Sequence, residues 1–227
     1  MSLYHQTLQL LKKEILIEYR AKYAFNGVLL YVVSTVFVCY IAFSLSQGFE
    51  QSQGYTIVWN VLFWIIMLFA AVNAIAKSFL IENRGRMLYY YTITSARAVI
   101  LSKTIYNSLL MLLLTLLTMV VYLIFFNNTI GDVIYYFIAV LLGSISFSTV
   151  FTMISAIASK AGNNSGLMAV LSFPVIIPLI IILIKLSKNA MDGIDHSFSY
   201  GHITMLCGIN VIVVATSLLL FPYLWRD

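Results

Sequence analysis

Long stretches without a charged side chain recur along this chain. Six of them span residues 23–49, 51–76, 104–131, 133–159, 161–184 and 196–225. A hydrocarbon core of ~30 Å is crossed by about 20 helical residues, and a backbone in lipid must satisfy its hydrogen bonds within the segment or within a closed barrel. Strand-like alternation is missing, so the pattern predicts six transmembrane helices, at roughly 25–46, 56–76, 104–126, 133–158, 167–186 and 203–222. The predicted fold is all-α and membrane-integral, with residues 1–227 forming a single domain.

The segment before the first span, residues 2–22, has a different pattern. Its apolar positions recur three or four residues apart, which is one face of a helix: Tyr4, Leu8, Leu11, Ile15 and Tyr19. Its charged positions lie elsewhere around the helix: Lys12, Lys13, Glu14, Glu18 and Lys22. Such a helix is expected to lie at the membrane interface, with its basic residues near anionic headgroups. It is either a topological anchor or an elbow that transmits movement to the first span, and the two roles are compatible.

The distribution of Lys and Arg predicts the orientation. Of the 13 basic residues, only Lys185 and Lys188 fall in connections on the side opposite the N-terminus. Because cytoplasmic connections carry the excess of Lys and Arg, we expect both termini in the cytoplasm.

Composition agrees with a membrane location. Hydrophobic residues make up 62% of the chain and charged residues 9%, whereas a soluble domain carries about 25% charged residues. So few charges do not form a nucleic-acid footprint. Trp59, Trp64 and Trp225 are scattered, and two of them sit near span ends, where belt residues are found.

Enzymatic motifs are missing from the sequence. No glycine is followed by lysine, which excludes a Walker-type phosphate loop, and HExxH, Gly-x-Ser-x-Gly and CxxC are absent. No charged residue is expected at mid-depth in a span, which argues against ion-coupled transport. Cys39 and Cys207 lie in apolar stretches and are expected to be apolar filler. We therefore predict a non-catalytic membrane subunit whose energy comes from another subunit.

The largest predicted cytoplasmic connection is 77–103. Its most polar part contains Glu82, Arg84, Gly85 and Arg86, and a run of tyrosines follows. It is either an ordinary positively charged loop with interfacial aromatics or a docking element for a soluble partner.

Two spans have special composition. The fourth is rich in small and hydroxyl residues, from Gly143 to Ala158, which allow close helix approach and hydrogen bonds between helices. The fifth contains Pro174 and Pro178, which predict a kink. That kink is either structural or part of a hinge or cleft.

His196 and His202 lie near Asp192 and Asp195 in the last outer loop. Imidazoles there are either haem or metal ligands or solvated loop residues. The cysteines add no metal-ligand spacing.

Three stretches resemble the cytochrome c maturation permease, the B subunit (CcmB) of the haem exporter, within the type-2 ABC exporter permeases. They are LKKEILIEYRAKYAFNGVL (11–29), FLIENRGRMLYYYTITSARAVILSK (79–103) and LLGSISFSTVFTMISAIASKAGNNSGLMAVLSFPVIIPLII (141–181). The last stretch places a small-residue helix, a basic turn and a Pro-x-x-x-Pro helix in the family's order. Ser144 and Ser148 depart from it by standing where glycine is usual, and Gly85 lacks the acidic residue and proline that often follow it.

The resemblance implies partners and cargo. A separate CcmA-like ATPase, a haem-handling CcmC-like subunit and a small CcmD-like subunit would form the complex with this chain. The charge clustered between Lys77 and Lys103 predicts that the ATPase binds at Glu82, Arg84, Gly85 and Arg86. The resemblance also implies a bacterial inner membrane, a homodimer through the first and fifth spans, and haem as cargo rather than as a bound cofactor. The alternatives are a type-2 ABC permease for a glycan, lipid or drug, and a membrane scaffold that transports nothing.

Overall fold

The computed structural model describes residues 3–21, 23–45, 54–75, 79, 94–126, 130–160, 165–194 and 197–226. These residues form seven helices, namely α1 Leu3–Ala21, α2 Tyr23–Ser44, α3 Tyr55–Ile75, α4 Ala96–Phe125, α5 Val133–Lys160, α6 Ser165–Met191 and α7 Ser197–Arg226. Six of them, α2 to α7, are long and apolar enough to cross a membrane. The predicted all-α membrane fold is thereby confirmed.

Helix α4 begins earlier than its apolar stretch predicted. It starts at Ala96 rather than near 104, because the side chain of Ser95 caps it by accepting a hydrogen bond from the backbone N–H of Ala98. Its 30 residues correspond to about 45 Å, against a hydrocarbon core of ~30 Å. About ten residues of this helix therefore extend beyond the apolar layer, and they carry Arg97 and Lys103.

Helix α5 is the centre of the bundle. It packs against α3, α4, α6 and α7, and 67% of its span is buried, compared with 17% for α2. Its serines and threonines from Ser144 to Ser155 are buried. The small residues of this span thus serve close packing inside one chain.

Two clusters of buried apolar residues hold the helices together. The larger one joins α2 to α7 and contains Trp59, Phe63 and Trp64. The smaller one contains Leu10, Phe79 and Trp225. All three tryptophans are buried, so the expectation of belt tryptophans near span ends was wrong, because these side chains fill space between helices.

Short-range capping organises the end where α5 begins and α6 ends. Asp132 accepts hydrogen bonds from the backbone N–H groups of Ile134 and Tyr135, which makes it the N-cap of α5. The backbone N–H of Gly131 donates to Met191 O over 3.1 Å. A Cβ at Gly131 would lie 2.7 Å from that same oxygen, so this connection requires glycine.

Candidate functional site

One face of α1 is fastened to the extended start of α4 by polar contacts. The Gln6 side-chain oxygen accepts from the Ser95 hydroxyl over 2.9 Å, and Glu14 Oε1 lies 3.5 Å from Lys103 Nζ. The Tyr106 hydroxyl interacts with the Glu18 carboxylate. Residue numbers rise together along both helices, so α1 and α4 run parallel and in register. We call these three contacts the α1–α4 ladder.

The ladder differs from the face that the apolar pattern emphasised. Tyr4, Ile15 and Tyr19 are exposed on the outside of the protein, as residues that face lipid or headgroups would be. Gln6, Leu10, Glu14 and Glu18 recur every four residues and face α4. The amphipathic helix is thus present, and its acidic side chains serve packing against a span.

Lys103 is the most unusual member of the ladder. Only 2% of this residue is exposed, and a buried ammonium group is costly unless it is paired. Its Nζ lies 4.8 Å from the ring centroid of Phe79, a cation–π geometry, in addition to its contact with Glu14. Lys103 therefore joins α1, α4 and a residue of the 77–103 connection at one point.

The smaller apolar cluster extends this junction to two further spans. The rings of Phe79 and Phe221 are 5.6 Å apart, and those of Phe221 and Trp225 are 5.5 Å apart. Ala98 of α4 and Ala156 of α5 belong to the same cluster. We call the Glu14–Lys103 pair together with the smaller apolar cluster, which includes Trp225, the cytoplasmic junction. The name follows from the predicted orientation, which places this end of the spans in the cytoplasm. The junction connects α1, α4, α5 and α7 mechanically.

Hydrogen bonds between side chains join the spans further inside the bundle. Asn107 of α4 donates to the Thr152 hydroxyl of α5 over 2.9 Å. Asn210 of α7 donates to Ser146 over 2.9 Å and accepts from Thr149 over 3.1 Å. The predicted hydrogen bonding by the fourth span is confirmed, and each such bond contributes ~0.6–2 kcal/mol.

A second network joins α3 to α6. The indole N–H of Trp64 donates to the Ser187 hydroxyl over 2.8 Å, and this hydroxyl lies 2.8 Å from the side-chain oxygen of Asn60. The amide of Asn60 in turn donates to Ile184 O over 3.0 Å. The Trp64 ring lies directly against Gly143 of α5, where a Cβ would be only 2.4 Å from a ring carbon.

The predicted ATPase contact lies outside the described residues. It consists of Glu82, Arg84, Gly85 and Arg86. The predicted contact stays a prediction. Phe79 is the described residue nearest to them in sequence.

Only one of the two histidines predicted as candidate haem or metal ligands lies among the described residues. His196 lies outside the described residues, whereas His202 has its Nδ1 3.0 Å from the carbonyl oxygen of Phe198. A carbonyl only accepts, so Nδ1 is the donor there. Among the described residues, no group of three or more His, Cys, Asp or Glu side chains has the arrangement of a metal site.

Pro174 and Pro178 both lie inside helix α6. The helix continues without a break from Ser165 to Met191, through both prolines. Their role as a hinge stays a prediction.

Sequence reasoning did not single out the ladder. One usable signal was the four-residue interval between Gln6, Leu10, Glu14 and Glu18, because residues at this interval lie on one face of a helix. Lys103, the last charge before an apolar stretch, was a second signal. Nothing in the sequence indicated that the two would pair.

The comparisons with known proteins bear directly on this architecture. The family model described as CcmB protein matches residues 5–223, which include nearly all of α1, Phe79 and Lys103 of the junction, and all or nearly all of each of the six spans. The chain belongs to the CcmB family. No curated protein and no solved structure matches it significantly.

Membership of the CcmB family settles the general role. The chain is a multi-pass membrane protein and a permease subunit of haem export for cytochrome c maturation. The family is one of non-catalytic permease subunits that work within a larger system.

Proposed function

We propose that this CcmB protein is the membrane half of an ABC-type complex in the bacterial inner membrane. ATP is bound and hydrolysed by a separate CcmA-like subunit in the cytosol, and both termini of this chain face the same compartment. The complex also contains a CcmC-like haem-handling subunit and a CcmD-like small subunit. Its work is export of haem or release of a haem-loaded chaperone.

The cytoplasmic junction is the single observation that carries this proposal. Phe79 belongs to the 77–103 connection, and its ring contacts both Lys103 of α4 and Phe221 of α7. Because packed side chains are close to incompressible, a displacement of the connection reaches α1, α4, α5 and α7 together. A permease driven from outside the membrane needs such a rigid link.

The ATPase is proposed to contact the connection at Glu82, Arg84, Gly85 and Arg86. This part of the sequence combines both signs of charge with a glycine, and charged rims favour association between soluble surfaces. The absence of a phosphate loop from the sequence is consistent with ATP hydrolysis elsewhere. A homodimer through α2 and α6 is part of the proposal, and exposed apolar side chains on both helices are compatible with it.

Affinity recovery of the ATPase tests the docking step. A triple variant, Glu82→Lys, Arg84→Glu and Arg86→Glu, should no longer bring down the ATPase from solubilised membranes. Arg97→Glu is the matched control, because Arg97 is an exposed basic residue of the same 77–103 connection and an acidic residue in the first turn of α4 is favourable for the helix. Undiminished ATPase recovery with the triple variant would contradict the docking proposal.

A haem stain of membranes tests the cargo. Deletion of the chain should remove covalently bound haem from c-type cytochromes while b-type cytochromes keep theirs. Loss of both would indicate a different cargo or a general defect of the membrane.

A further inference from the structure

An open groove of about 400 Å³ lies where α1, α2 and α4 meet, and its lining includes Glu18, Asn26, Tyr106, Leu109, Leu110 and Leu113. Ile15 and Tyr19 of α1 line it as well. The polar side chains of Glu18, Asn26 and Tyr106 lie at the end where α1 stops and α2 starts, and three leucines follow along α4 from there. The groove is therefore amphiphilic along its length.

The position of the groove along α4 matches the boundary of the apolar layer. Tyr106 follows closely after Lys103, the last charged residue before the apolar stretch. Leu113 lies seven residues further along the helix, which is about 10 Å deeper. With the proposed topology, the polar end lies at the cytoplasmic headgroups and the leucine wall reaches into the hydrocarbon.

The polar end of the groove is acidic. Glu18 lines it and interacts with the Tyr106 hydroxyl. A carboxylate has two oxygens and about four acceptor positions, so it can accept from several donors at once. An ammonium group complements this end, whereas a purely anionic headgroup would be repelled.

We propose that the groove binds a phospholipid with a primary-amine headgroup, of the phosphatidylethanolamine type, from the cytoplasmic leaflet. The ammonium group contacts Glu18, and an acyl chain lies along Leu109, Leu110 and Leu113. This selectivity is opposite to that expected of the basic positions of α1, such as the exposed Lys12, which attract anionic lipids. The proposal rests on the proposed topology and does not involve the ATPase.

Photolabelling of the full chain in phosphatidylcholine vesicles tests the proposal. Trace phosphatidylethanolamine or phosphatidylglycerol, each with a diazirine in an acyl chain, is activated, and labelled peptides are mapped by mass spectrometry. The phosphatidylethanolamine probe should label the peptide containing 109–113, and unlabelled phosphatidylethanolamine should compete where phosphatidylglycerol does not. Glu18→Gln should lower this labelling roughly fivefold, the change that about 1 kcal/mol produces.

A size variant keeps the test independent of Glu18. Leu109→Trp should block the groove and remove the label, whereas Val120→Trp should not, since both positions are similarly exposed on α4 (53% and 55%) and only Leu109 lines the groove. Equal labelling by both probes, or labelling spread evenly over α2, α4 and α7, would mean ordinary lipid solvation and overturn the proposal. Absence of label from the groove, as a second copy of the chain seated there would cause, would overturn it as well. ATPase recovery is measured separately, so failure of one proposal does not imply failure of the other.

Discussion

Glu14 of α1 and Lys103 of α4 form an ion pair, with Oε1 and Nζ 3.5 Å apart and Lys103 almost completely buried. The Glu14 side chain is 14% exposed and its carboxylate also lies 2.9 Å from Lys13 Nζ, whereas the ammonium group is buried beside the carboxylate and the Phe79 ring. The pair is therefore asymmetric.

The asymmetry predicts an order of stability among variants. Glu14→Gln removes the charge that faces a buried cation and should destabilise the protein by about 2 kcal/mol, more than Lys103→Met does. The double variant should be less damaged than the sum of the two, with a coupling of about 1 kcal/mol or more. Thermal unfolding in one detergent measures this, and the exposed Lys12→Met is the control. Strictly additive effects would contradict the pairing.

Phe79 is predicted to transmit motion rather than bind the ATPase. Phe79→Leu keeps an apolar side chain but removes the ring beneath Lys103. Loss of a cation–π contact of about 1 kcal/mol shifts a two-state equilibrium roughly fivefold. Haem attachment to c-type cytochromes should fall on that scale while ATPase recovery stays unchanged. Lost ATPase recovery would instead place Phe79 in the docking surface.

Gly143 should be intolerant of even one added methyl group. An added Cβ would lie 2.4 Å from a Trp64 ring carbon, and overpacking of this kind costs about 1–3 kcal/mol. Gly143→Ala should therefore lower Tm. Gly208→Ala is the matched control, because no atom lies within 4 Å of its added Cβ. Similar Tm values for the two variants would show that Trp64 does not pack against α5 in this way.

Ser187 is predicted to matter more than its size suggests. Ser187→Ala leaves the buried Trp64 N–H without its acceptor, which costs about 1–3 kcal/mol. Ser217→Ala is the control, since this buried hydroxyl donates to Val213 O of its own helix. Thermal unfolding of both variants should show a lower Tm for Ser187→Ala alone. Equal shifts would argue against the α3–α6 network.

The six spans were predictable because the absence of charge is a long, one-dimensional signal. Lipid imposes the same requirement on every residue of a span, so the pattern along 133–159 is sufficient to place α5. The start of α4 was not predictable in this way. Ser95 begins a helix through local hydrogen bonds, whereas an apolar stretch marks only where lipid begins.

Contacts between spans were much harder to predict. The sequence around Trp59 and Trp225 looks the same whether these side chains face lipid or neighbouring helices, because both surroundings are apolar. The register of Glu14 against Lys103 depends on how α1 folds back on α4. That geometry is set by packing of the whole bundle, which a local pattern does not encode.

The central claim is a six-span permease whose 77–103 connection faces the same compartment as its N-terminus. Reporter tags inserted after Gln47, Gly85 and Asp195 measure this most directly, because all three positions lie outside the described helices. The Gly85 tag should be found on the same side as Met1, and the Gln47 and Asp195 tags on the opposite side. A Gly85 tag on the side opposite Met1 would contradict the account.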